Sequence, residues 1–325
     1  MKNITILVPE SSVIEAVADP QYMFSAANDF LIANGKSPLF EVSLAALNRE
    51  VKFNGGMFTV HTDRLLQEVV DTDLIIIPAL FGNMKQAVEK NKEALPWIVK
   101  HHKKGAEVAS LCVGAFLLAS TGLLNGKKCS THWAFYNEFR ETFPDVEIMD
   151  GSIITEENGL YSSGGANSYW NLLLYLLEKY TDRETAILAS KYFAIDIDRK
   201  SQSAFTMFAG QKDHNDKEIR RVQEFIEKNY NERITVDDLA QMVALSRRSF
   251  ERRFKKATDN TVIEYHQRVK IEAAKRSFET SRQNISEVMY DVGYTDTKAF
   301  RNVFKKITGL TPIEYRNKYS KAEIS

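Results

Sequence analysis

The segment FERRFKKAT (250–258) recurs as FRNVFKKIT (300–308), and TVIEYH (261–266) recurs as TPIEYR (311–316), both at an offset of 50 residues. Upstream, DLAQMVALS (238–246) matches EVMYDVGYT (287–295) at an offset of 49, so the second copy has one more residue in its turn. Self-similarity at a fixed period means that one structural unit is repeated. The C-terminal region therefore contains one helical unit used twice.

Each copy has the apolar spacing of two short helices joined by a tight turn. The first helix has one apolar face, formed in the first copy by Val236, Leu239, Ala240 and Val243. A small residue follows, Ala244 in the first copy and Gly293 in the second, and Phe250 and Phe254 then mark a second helix. A single copy would fit an ordinary helical hairpin equally well, but two matched copies in a basic region favour helix-turn-helix units.

Charge is unevenly distributed along a chain that is neutral overall. Residues 216–325 contain 23 basic and 17 acidic residues, a net charge of +6, whereas residues 1–215 contain 20 basic and 26 acidic residues, a net charge of −6. Basic regions attract phosphate and acidic regions are repelled by it. The C-terminal third is thus a candidate for binding nucleic acid, and the remainder is expected to have another role.

The second helix of each copy carries a polar stripe on the face away from its phenylalanines. In the first copy the stripe comprises Arg248, Glu251, Arg252 and Lys255, and in the second copy Lys298, Arg301, Asn302 and Lys305. Arginine can bind guanine through two hydrogen bonds, and glutamate can accept one from the cytosine amino group. The stripes are therefore interpreted as base-reading surfaces, although any single member could instead be a solvated surface charge.

A long uninterrupted helix is predicted between the copies, from about Val262 to Glu279. Its candidate core residues are Ile263, Val269, Ile271, Ala274 and Phe278. At about 1.5 Å per residue it is roughly 27 Å long. That length can place two reading helices about one DNA turn, roughly 34 Å, apart. A monomer could thus bind a bipartite site.

The N-terminal two-thirds predicts an α/β domain. Short apolar runs, such as ITILV (4–8), DLIIIPA (73–79) and AEVASL (106–111), alternate with helical patterns at about 22–34 and 84–103. This alternation is typical of βαβ units with a parallel sheet covered by helices on both sides. SIITEENGLYSSGG (152–165) predicts a hairpin with its turn at Asn158-Gly159, and SYWNLLLYLLEKY (168–180) predicts an apolar helix.

The composition and the linker pattern bound the organisation of the 325 residues. Hydrophobic residues make up 44% and charged residues 26%, which is typical of a globular protein, and the length suits two domains. No apolar run approaches the ~18 residues of a membrane span. The polar stretch AGQKDHNDKE begins at residue 209, so the expected division is residues 1–208, a linker at 209–217 and a second domain at 218–325. Two cysteines, Cys112 and Cys129, favour a reducing cytoplasm.

Cys112 lies at the end of a predicted buried strand and directly before an apolar helix. Ser110 and Gly114 flank it as small residues flank the nucleophile of a G-x-S-x-G elbow, with cysteine in place of serine. A helix N-terminus favours the thiolate, which predicts a lowered pKa. The alternative is a small buried core residue, a common role of free cysteine.

The C-terminal residues resemble the AraC/XylS transcriptional regulators, whose DNA-binding domain has two helix-turn-helix units joined by a long helix. The resemblance covers about residues 217–319 and includes the closing stretch DVGYTDTKAFRNVFKKITGLTPIEYR. It implies base contacts on the second helix of each unit. Carried over to this sequence, these are Arg248, Glu251 and Arg252 in the first unit, and Thr297, Lys298 and Arg301 in the second.

The N-terminal residues resemble the PfpI-like, class I glutamine amidotransferase-like domains that are fused to AraC-type regulators. The resemblance covers nearly all of residues 1–208, through ILVPESSVIEAVADP, ASLCVGAFLLASTGLLNGKKCSTHW and IDIDRKSQSAF (195–205). It implies a flavodoxin-like α/β sandwich with Cys112 at the carboxyl edge of the sheet. His132 matches the family's T-H-W histidine, and Glu15 falls about where an acidic residue faces the cysteine.

Two departures from the enzymes of that superfamily bear on the role of the cysteine. Many of them have a histidine directly after the nucleophile, where this chain has Val113, and a Gly-rich turn at the oxyanion site, where it has PALFG (78–82). Acyl transfer would lack a neighbouring base and an oxyanion donor. We therefore expect the pocket of Glu15, Cys112, Val113 and His132 to bind a small-molecule effector. The alternatives are a structural site, a pure dimerisation module, and a cysteine-dependent hydrolase or hydratase tethered to DNA.

No metal or cofactor is expected. His101 and His102 stand beside Lys103 and Lys104, and are interpreted as a solvated helix end, since no ligand with zinc spacing is near in sequence and no phosphate-binding Gly-rich motif occurs. The expected partners are promoter DNA, an unknown effector, a second copy of the chain and, if the protein activates transcription, RNA polymerase. Our working hypothesis is that effector binding shifts the placement of two DNA-binding domains through the linker.

Overall fold

The computed structural model describes residues 1–197, 201–208, 210–212 and 214–320. The chain divides into two compact units, Met1–Gln202 and Ser203–Ser325, whereas the sequence predicts the division at 209–217. Of that predicted linker, Ala209 and Asp213 lie outside the described residues, as do residues 198–200 of the stretch 195–205. In the described part of the linker, Gln223 donates a hydrogen bond to the Gln211 carbonyl, and Lys212 pairs with Glu227.

A largely parallel sheet forms the centre of the first unit. The strands of this unit are β1 (Lys2–Leu7), β2 (Phe40–Ala46), β3 (Glu50–Phe53), β4 (Phe58–His61), β5 (Arg64–Leu65), β6 (Leu74–Ile77), β7 (Glu107–Ser110), β8 (Lys128–Cys129), β9 (Glu147–Ile148), β10 (Ile154–Glu157) and β11 (Leu160–Ser163). The main sheet has the order β10-β11-β7-β6-β1-β2-β5, and β10 is antiparallel to β11 while the other pairs are parallel. All four residues of β6 are buried, as expected for a strand covered on both faces.

Helices connect and cover these strands. They are α1 (Ile14–Ala33), α2 (Met84–Lys90), α3 (Leu95–Lys103), α4 (Ala115–Ser120), α5 (Tyr136–Thr142), α6 (Tyr169–Tyr180) and α7 (Arg183–Tyr192). β10 and β11 form the predicted hairpin, with Asn158 (φ 55°) and Gly159 (φ 74°) both left-handed in its turn. The predicted flavodoxin-like α/β architecture is confirmed.

Three predictions for the first unit are wrong. α1 begins at Ile14 rather than near Tyr22, because Pro20 costs the helix one hydrogen bond without ending it. The helix predicted at 84–103 is two helices, since the side chain of Asn91 accepts from the Glu10 amide and donates to the Ala87 carbonyl, which fixes the break. His101 is buried against Trp97, with ring centroids 4.6 Å apart, rather than solvated.

The second unit is helical and repeats itself. Its helices are α8 (Lys217–Lys228), α9 (Val236–Met242), α10 (Arg247–Thr258), α11 (Val262–Thr280), α12 (Ile285–Asp291), α13 (Thr297–Thr308) and α14 (Pro312–Tyr319). α9 and α10 form the first helix-turn-helix unit and α12 and α13 the second, with α11 between them. Equivalent capping boxes begin α11 and α14: Thr261 pairs with Glu264, and Thr311 with Glu314.

Each helix-turn-helix unit has its own small core. The first core includes Phe250, Phe254 and Tyr265, and the second includes Phe300, Phe304 and Tyr315. Of the core residues predicted in α11, Ile271, Ala274 and Phe278 are buried and Val269 is half-buried, but Ile263 is 60% exposed. Tyr265 occupies the inward position near the start of α11 instead, because its phenol donates to Glu227 while its ring packs on Phe254.

Within the described residues, no helix has both the length and the apolar character required to cross a membrane.

Candidate functional site

The turns of the two helix-turn-helix units require a left-handed residue. Ala244 has φ 52° between α9 and α10, and Gly293 has φ 75° between α12 and α13. The small residues predicted at these positions thus make the sharp change of direction. Glycine is required more strictly in the second turn, since a Cβ on Gly293 would lie 2.2 Å from the carbonyl oxygen of Asn231.

α10 presents the predicted stripe to solvent. The Ser246 side chain caps its N-terminus, while Phe250 and Phe254 are fully buried on its inner face. The opposite face carries the exposed side chains of Arg248, Glu251, Arg252 and Lys255. The inner phenylalanines fix the rotation of the helix about its axis, so the cationic face points away from the core.

Two further arginines on α10 were not singled out by the sequence pattern. Arg247 lies 3.0 Å from Asp237 and 3.4 Å from Glu251, so Glu251 already has a cationic partner. Arg253 holds the N-cap Asp216 of α8 through its Nε and Nη2 atoms and is part of the scaffold. The i, i+4 spacing of Arg247 and Glu251 could have revealed the first pairing; the second depends on the tertiary fold.

α13 repeats the arrangement with fewer internal pairings. Asp296 caps the helix, and Phe300 and Phe304 are buried. Thr297, Lys298, Arg301 and Lys305 are exposed on the outer face, as is Asn302. In the part of the chain that the structure describes, no ion pair occupies Lys298, Arg301 or Lys305. These cations are available to an external polyanion.

The chain makes a strained turn at Cys112. The residue has φ 53° and begins the helical turn 112–114, which follows β7 and leads into α4. A Cβ on Gly114 would lie 2.5 Å from the Pro78 carbonyl oxygen, so only glycine lets the turn pack against the end of β6. The predicted elbow geometry is therefore present. A left-handed non-glycine residue stores strain, which is found most often at functional sites.

The thiol of Cys112 is not activated as a nucleophile. Cys112 is only 5% exposed, and this burial raises the pKa of its thiol to about 12. A hydrogen bond from the Val113 amide opposes the shift. The predicted lowering of the pKa is wrong, because desolvation outweighs the influence of α4, which has only six residues. Val113 is itself buried at 4% exposure and provides no base.

His132 directly follows Thr131, which is hydrogen-bonded to the elbow. The Thr131 hydroxyl donates to the Cys112 carbonyl at 3.1 Å, and burial lowers the pKa of His132. His132 Nδ1 accepts from the Ala134 amide at 3.1 Å and caps the following turn. The ring of His132 therefore caps a turn, and its burial disfavours the charged imidazolium.

Glu15 stands on α1 near a cluster that the sequence pattern did not reveal. Its own side chain is exposed, but one helical turn later Asp19 accepts a 2.5 Å hydrogen bond from the Tyr169 phenol. Burial raises the pKa of Asp19, with Glu15 adding to the shift, while hydrogen bonds from Tyr169 and Trp170 oppose it. Burial likewise raises the pKa of Tyr169, with smaller contributions from Asp19, Glu15 and Cys112.

Tyr169 is thus influenced both by Asp19 and Glu15 on α1 and by Cys112 at the elbow. A carboxyl group with a raised pKa is a common mark of a binding site. The i, i+4 spacing of Glu15 and Asp19 in α1 is the one sequence signal for this cluster, and the prediction of a helix start near Tyr22 concealed it.

The loop 78–82, in the place of the oxyanion turn, already uses some of its backbone groups in hydrogen bonds. The Phe81 amide donates to the Ser11 carbonyl at 2.6 Å, and the Val13 amide donates to the Ala79 carbonyl at 2.8 Å. These bonds tie the loop after β6 to the loop after β1. Phe81 itself is 69% exposed. Within the described residues, no group of three or more His, Cys, Asp and Glu side chains is arranged to hold a metal ion.

Comparisons with known proteins agree with both halves of this architecture. The family model described as a helix-turn-helix domain matches residues 239–318, and the model of the DJ-1/PfpI family matches residues 28–179. The chain carries a DJ-1/PfpI domain followed by an AraC-type helix-turn-helix domain. The elbow at Cys112 lies in the DJ-1/PfpI domain, and both α10 and α13 lie in the AraC-type domain.

Curated proteins similar to this chain include named regulators of transcription. It is 26% identical over 226 residues to the HTH-type transcriptional regulator GbdR of Pseudomonas aeruginosa, covering 69% of this chain and 61% of GbdR. It is 21% identical over 274 residues to the HTH-type transcriptional regulator CdhR of the same species, covering 84% and 80%. The match thus spans about three-fifths of the length of GbdR.

A solved structure shows the same fold. A ThiJ/PfpI family protein from Pseudomonas syringae superposes with a TM-score of 0.51 at 15% identity, covering 75% of this chain and 91% of that protein.

Proposed function

We propose that this protein is a sequence-specific DNA-binding transcriptional regulator whose α10 and α13 read successive major grooves of a promoter. One observation carries the proposal: both helix-turn-helix units turn an exposed cationic face outward on the second helix. α11, with 19 residues, is about 28 Å long and suits a separation of roughly one DNA turn. The regulators among its relatives support the same conclusion.

The eight predicted DNA-binding residues have different expected roles. Arg248 and Arg252 on α10, and Lys298 and Arg301 on α13, are exposed near the N-terminal and central turns, where reading helices approach base edges. Lys255 follows Arg252 by three residues, and Lys305 follows Arg301 by four; both lie nearer the C-terminal end of their helix and suit phosphate contacts. Glu251 must exchange Arg247 for a cytosine amino group in order to read a base, which leaves Arg247 paired with Asp237 alone. Thr297 begins α13, where a hydroxyl suits a phosphate.

For the DJ-1/PfpI domain we propose a sensory role, with dimerisation as an additional one. The effector would bind near Glu15, Cys112, Val113 and His132, with Asp19 and Tyr169 as further contacts. Two observations support this placement: the strained turn at Cys112 follows the carboxyl end of β7 in a parallel sheet, and Asp19 is hydrogen-bonded to Tyr169.

A hydrogen-bonded path supports a connection from this pocket to the DNA-binding unit. Thr131 donates to the Cys112 carbonyl, and the Gln202 amide group donates to the Thr131 carbonyl at 3.0 Å. Gln202 is 1% exposed, and its Nε2 also lies 2.9 Å from the Tyr136 hydroxyl and 3.0 Å from the Ser152 carbonyl oxygen. Ser203 follows directly in the chain and begins the second unit. An effector can change the conformation of this connection only to the extent that it binds one conformation more tightly than another.

A cysteine-dependent hydrolase or hydratase is the second candidate function of the first unit. The strained φ of Cys112 favours it, since nucleophile elbows share that strain. The raised thiol pKa, the buried Val113 and the occupied Phe81 amide argue against it. We therefore propose that the protein is a regulator without enzymatic activity. Turnover of amides, isonitriles or reactive aldehydes that is lost in Cys112→Ser would establish the enzyme instead.

The proposed setting is the cytoplasm, with the protein acting as a homodimer on promoter DNA and, for an activator, contacting RNA polymerase. Both cysteines are free and buried, which suits a reducing compartment. Light scattering of the purified chain with and without DNA measures the oligomeric state.

Selection of bound duplexes from a randomised pool at stated salt tests the central proposal. The full-length protein should enrich a bipartite motif with half-sites about one helical turn apart. Arg248→Ala and Lys298→Ala should each relax the preference at one base position of one half-site and leave the other half-site unchanged. Failure to enrich any motif, with circular dichroism showing intact helices, would contradict unassisted DNA reading. Repeating the selection with a metabolite pool then distinguishes an effector requirement from the enzyme alternative.

A further inference from the structure

The segment before α8 lies against both helix-turn-helix units. We define the strap as Ser203–Phe208 together with Gly210–Lys212, all within the second unit. The two helix-turn-helix units have separate cores that α11 connects. A single helix between two small cores can bend, so a second connection would restrict their relative movement.

One end of the strap contacts the second helix-turn-helix unit. The ring of Phe205 packs edge-on against Tyr319, with centroids 6.4 Å apart. Lys318 Nζ lies over the same ring, 4.8 Å from its centroid. Tyr319 in turn packs against the second core, through Tyr315 at 4.6 Å. This end is therefore coupled to α14 and the core behind α13.

The middle of the strap binds two charged residues of α11. Lys275 Nζ donates to the Thr206 carbonyl at 2.5 Å and to Glu272 Oε2 at 2.9 Å, and Lys275 is only 3% exposed. The Phe208 amide donates to the same Glu272 oxygen at 3.1 Å. A buried ammonium group is costly unless its hydrogen bonds are satisfied. The strap supplies one of these bonds, so its removal would either expose Lys275 to solvent or leave its ammonium group buried with one hydrogen bond fewer.

The other end of the strap contacts the first helix-turn-helix unit and α8. Phe208 packs edge-on against Tyr265, with centroids 5.1 Å apart. Gln223 donates to the Gln211 carbonyl at 2.8 Å. A Cβ on Gly210 (φ 69°) would lie 2.5 Å from the Tyr265 hydroxyl, so the backbone passes as close to the core as glycine allows.

We propose that the strap holds the two helix-turn-helix units at a fixed separation and thereby sets the half-site spacing that the protein recognises. The inference rests on the proposed function for its DNA consequence, while its structural part stands on the contacts alone. Because the strap follows Gln202 directly in the chain, it is also the segment through which the first unit could act on both reading helices at once.

Spin-label distances test the structural part without DNA. Labels on Lys256→Cys in α10 and Lys306→Cys in α13, both exposed, report the separation of the reading helices in the full-length protein. Gly210→Ala should release the strap, because the added methyl group meets Tyr265. Gly126→Ala is the matched control, since Gly126 has φ 70° but nothing within 4 Å of an added Cβ. Lys275→Met is a second strap variant, which removes the donor to Thr206.

The expected result is one narrow distance distribution for the parent and Gly126→Ala, and a broadened one for both strap variants. Hydrogen exchange at the Phe208 amide shows whether the strap has been released. Unchanged distances together with a released strap would overturn the proposal, and would mean that α11 and the contact of Asn231 with Gly293 hold the units unaided. A strap that stays protected in both variants would also overturn it, since neither Gly210 nor Lys275 would then secure the segment.

A spacing series on the selected motif tests the DNA consequence. One inserted or deleted base pair between the half-sites turns them by about one-tenth of a helical turn, and should weaken parent binding by about tenfold. In Gly210→Ala and Lys275→Met we expect the loss to fall below about threefold, with the base preference of each half-site unchanged. An undiminished spacing penalty in both variants would refute the spacing role. Absence of DNA binding by the parent would instead refute the proposed function and leave the distance measurement to decide the strap.

Discussion

The carbonyl oxygen of Asn231 faces Gly293 so closely that a Cβ on Gly293 would lie 2.2 Å from it. Asn231 precedes α9 and Gly293 is in the turn before α13, so the contact joins the two helix-turn-helix units. Gly293→Ala should destabilise the second unit by about 2–4 kcal/mol, because it combines a left-handed alanine with overpacking against backbone. Urea unfolding followed by far-UV circular dichroism measures the loss.

Two controls isolate this effect. Ala244→Gly, at the equivalent turn of the first helix-turn-helix unit, should change stability by less than about 1 kcal/mol, since relief of the left-handed strain offsets the added chain entropy. Trp97, Trp133 and Trp170 are the three tryptophans and all lie in the first unit, so the fluorescence transition should not move. A Gly293→Ala protein as stable as its parent would show that the backbone at Asn231 can move away from the added Cβ at little cost in free energy.

Arg248 is expected to read a base. Its side chain is exposed on α10, and no ion pair engages it among the described residues. Arg248→Ala should weaken binding to the selected site by about 1–3 kcal/mol and relax the preference at one position. Fluorescence anisotropy with the full set of single-base variants of the site measures both. An equal loss on every sequence would reassign Arg248 to the phosphate backbone.

Lys305 is expected to contact phosphate. It is exposed in the last turn of α13, beyond the part of the helix that reaches base edges. Lys305→Ala should lower affinity for every duplex alike and reduce the slope of log K against log salt by about one. Titrations at several salt concentrations measure the slope. A loss confined to the selected motif would indicate base recognition instead.

The sequence was sufficient to predict a helix-covered parallel sheet in the first unit and both helix-turn-helix units in the second. Those predictions rest on periodicity and on a 50-residue repeat, which depend only on local sequence. It failed where tertiary packing decides the outcome. Pro20 stays inside α1, and Asn91 breaks the helix predicted at 84–103. In α11, Tyr265 is buried in the core where Ile263 was expected.

The sites show the same division between local and tertiary information. The elbow at Cys112 could be predicted, because small flanking residues are a local signal. The state of its thiol could not, since burial depends on segments distant in sequence, such as Ser163, whose hydroxyl accepts from the Cys112 amide at 3.0 Å. For the same reason the Asp19–Tyr169 pair, 150 residues apart, was not foreseen.

Cys112 should react slowly with alkylating agents. Burial raises the pKa of its thiol to about 12, so the thiolate fraction near neutral pH should be on the order of a thousandfold below that of an unperturbed cysteine. Mass spectrometry of the native protein treated with iodoacetamide measures the rate. Cys129 is the internal reference, because burial also raises the pKa of its thiol to about 12. Selective, rapid labelling of Cys112 would contradict the buried, neutral thiol and favour the enzyme alternative.

Asp19 should reduce stability at neutral pH. Burial raises its pKa above the unfolded value near 3.8, so the native state binds the proton more tightly than the unfolded state. The free energy of unfolding contributed by this group therefore falls as pH rises from below that value through the native pKa. Asp19→Asn keeps an acceptor for the Tyr169 phenol but cannot ionise. The variant should unfold at higher urea than the parent at pH 7, and the difference should vanish below about pH 4.

Glu107 provides the opposite case in the same unit. Burial would raise its pKa, but hydrogen bonds from Lys179, Tyr180 and Tyr161 lower it overall, so its stabilisation is present above the unfolded value and is lost as pH falls. Glu107→Gln should therefore destabilise the first unit at pH 7, with a difference that shrinks in acid. Tryptophan fluorescence in urea from pH 4 to 8 follows both variants, since all three tryptophans report this unit. If Asp19→Asn is less stable than its parent at pH 7, Asp19 is a structural partner of Tyr169, and the case for a binding carboxyl group beside the elbow is lost.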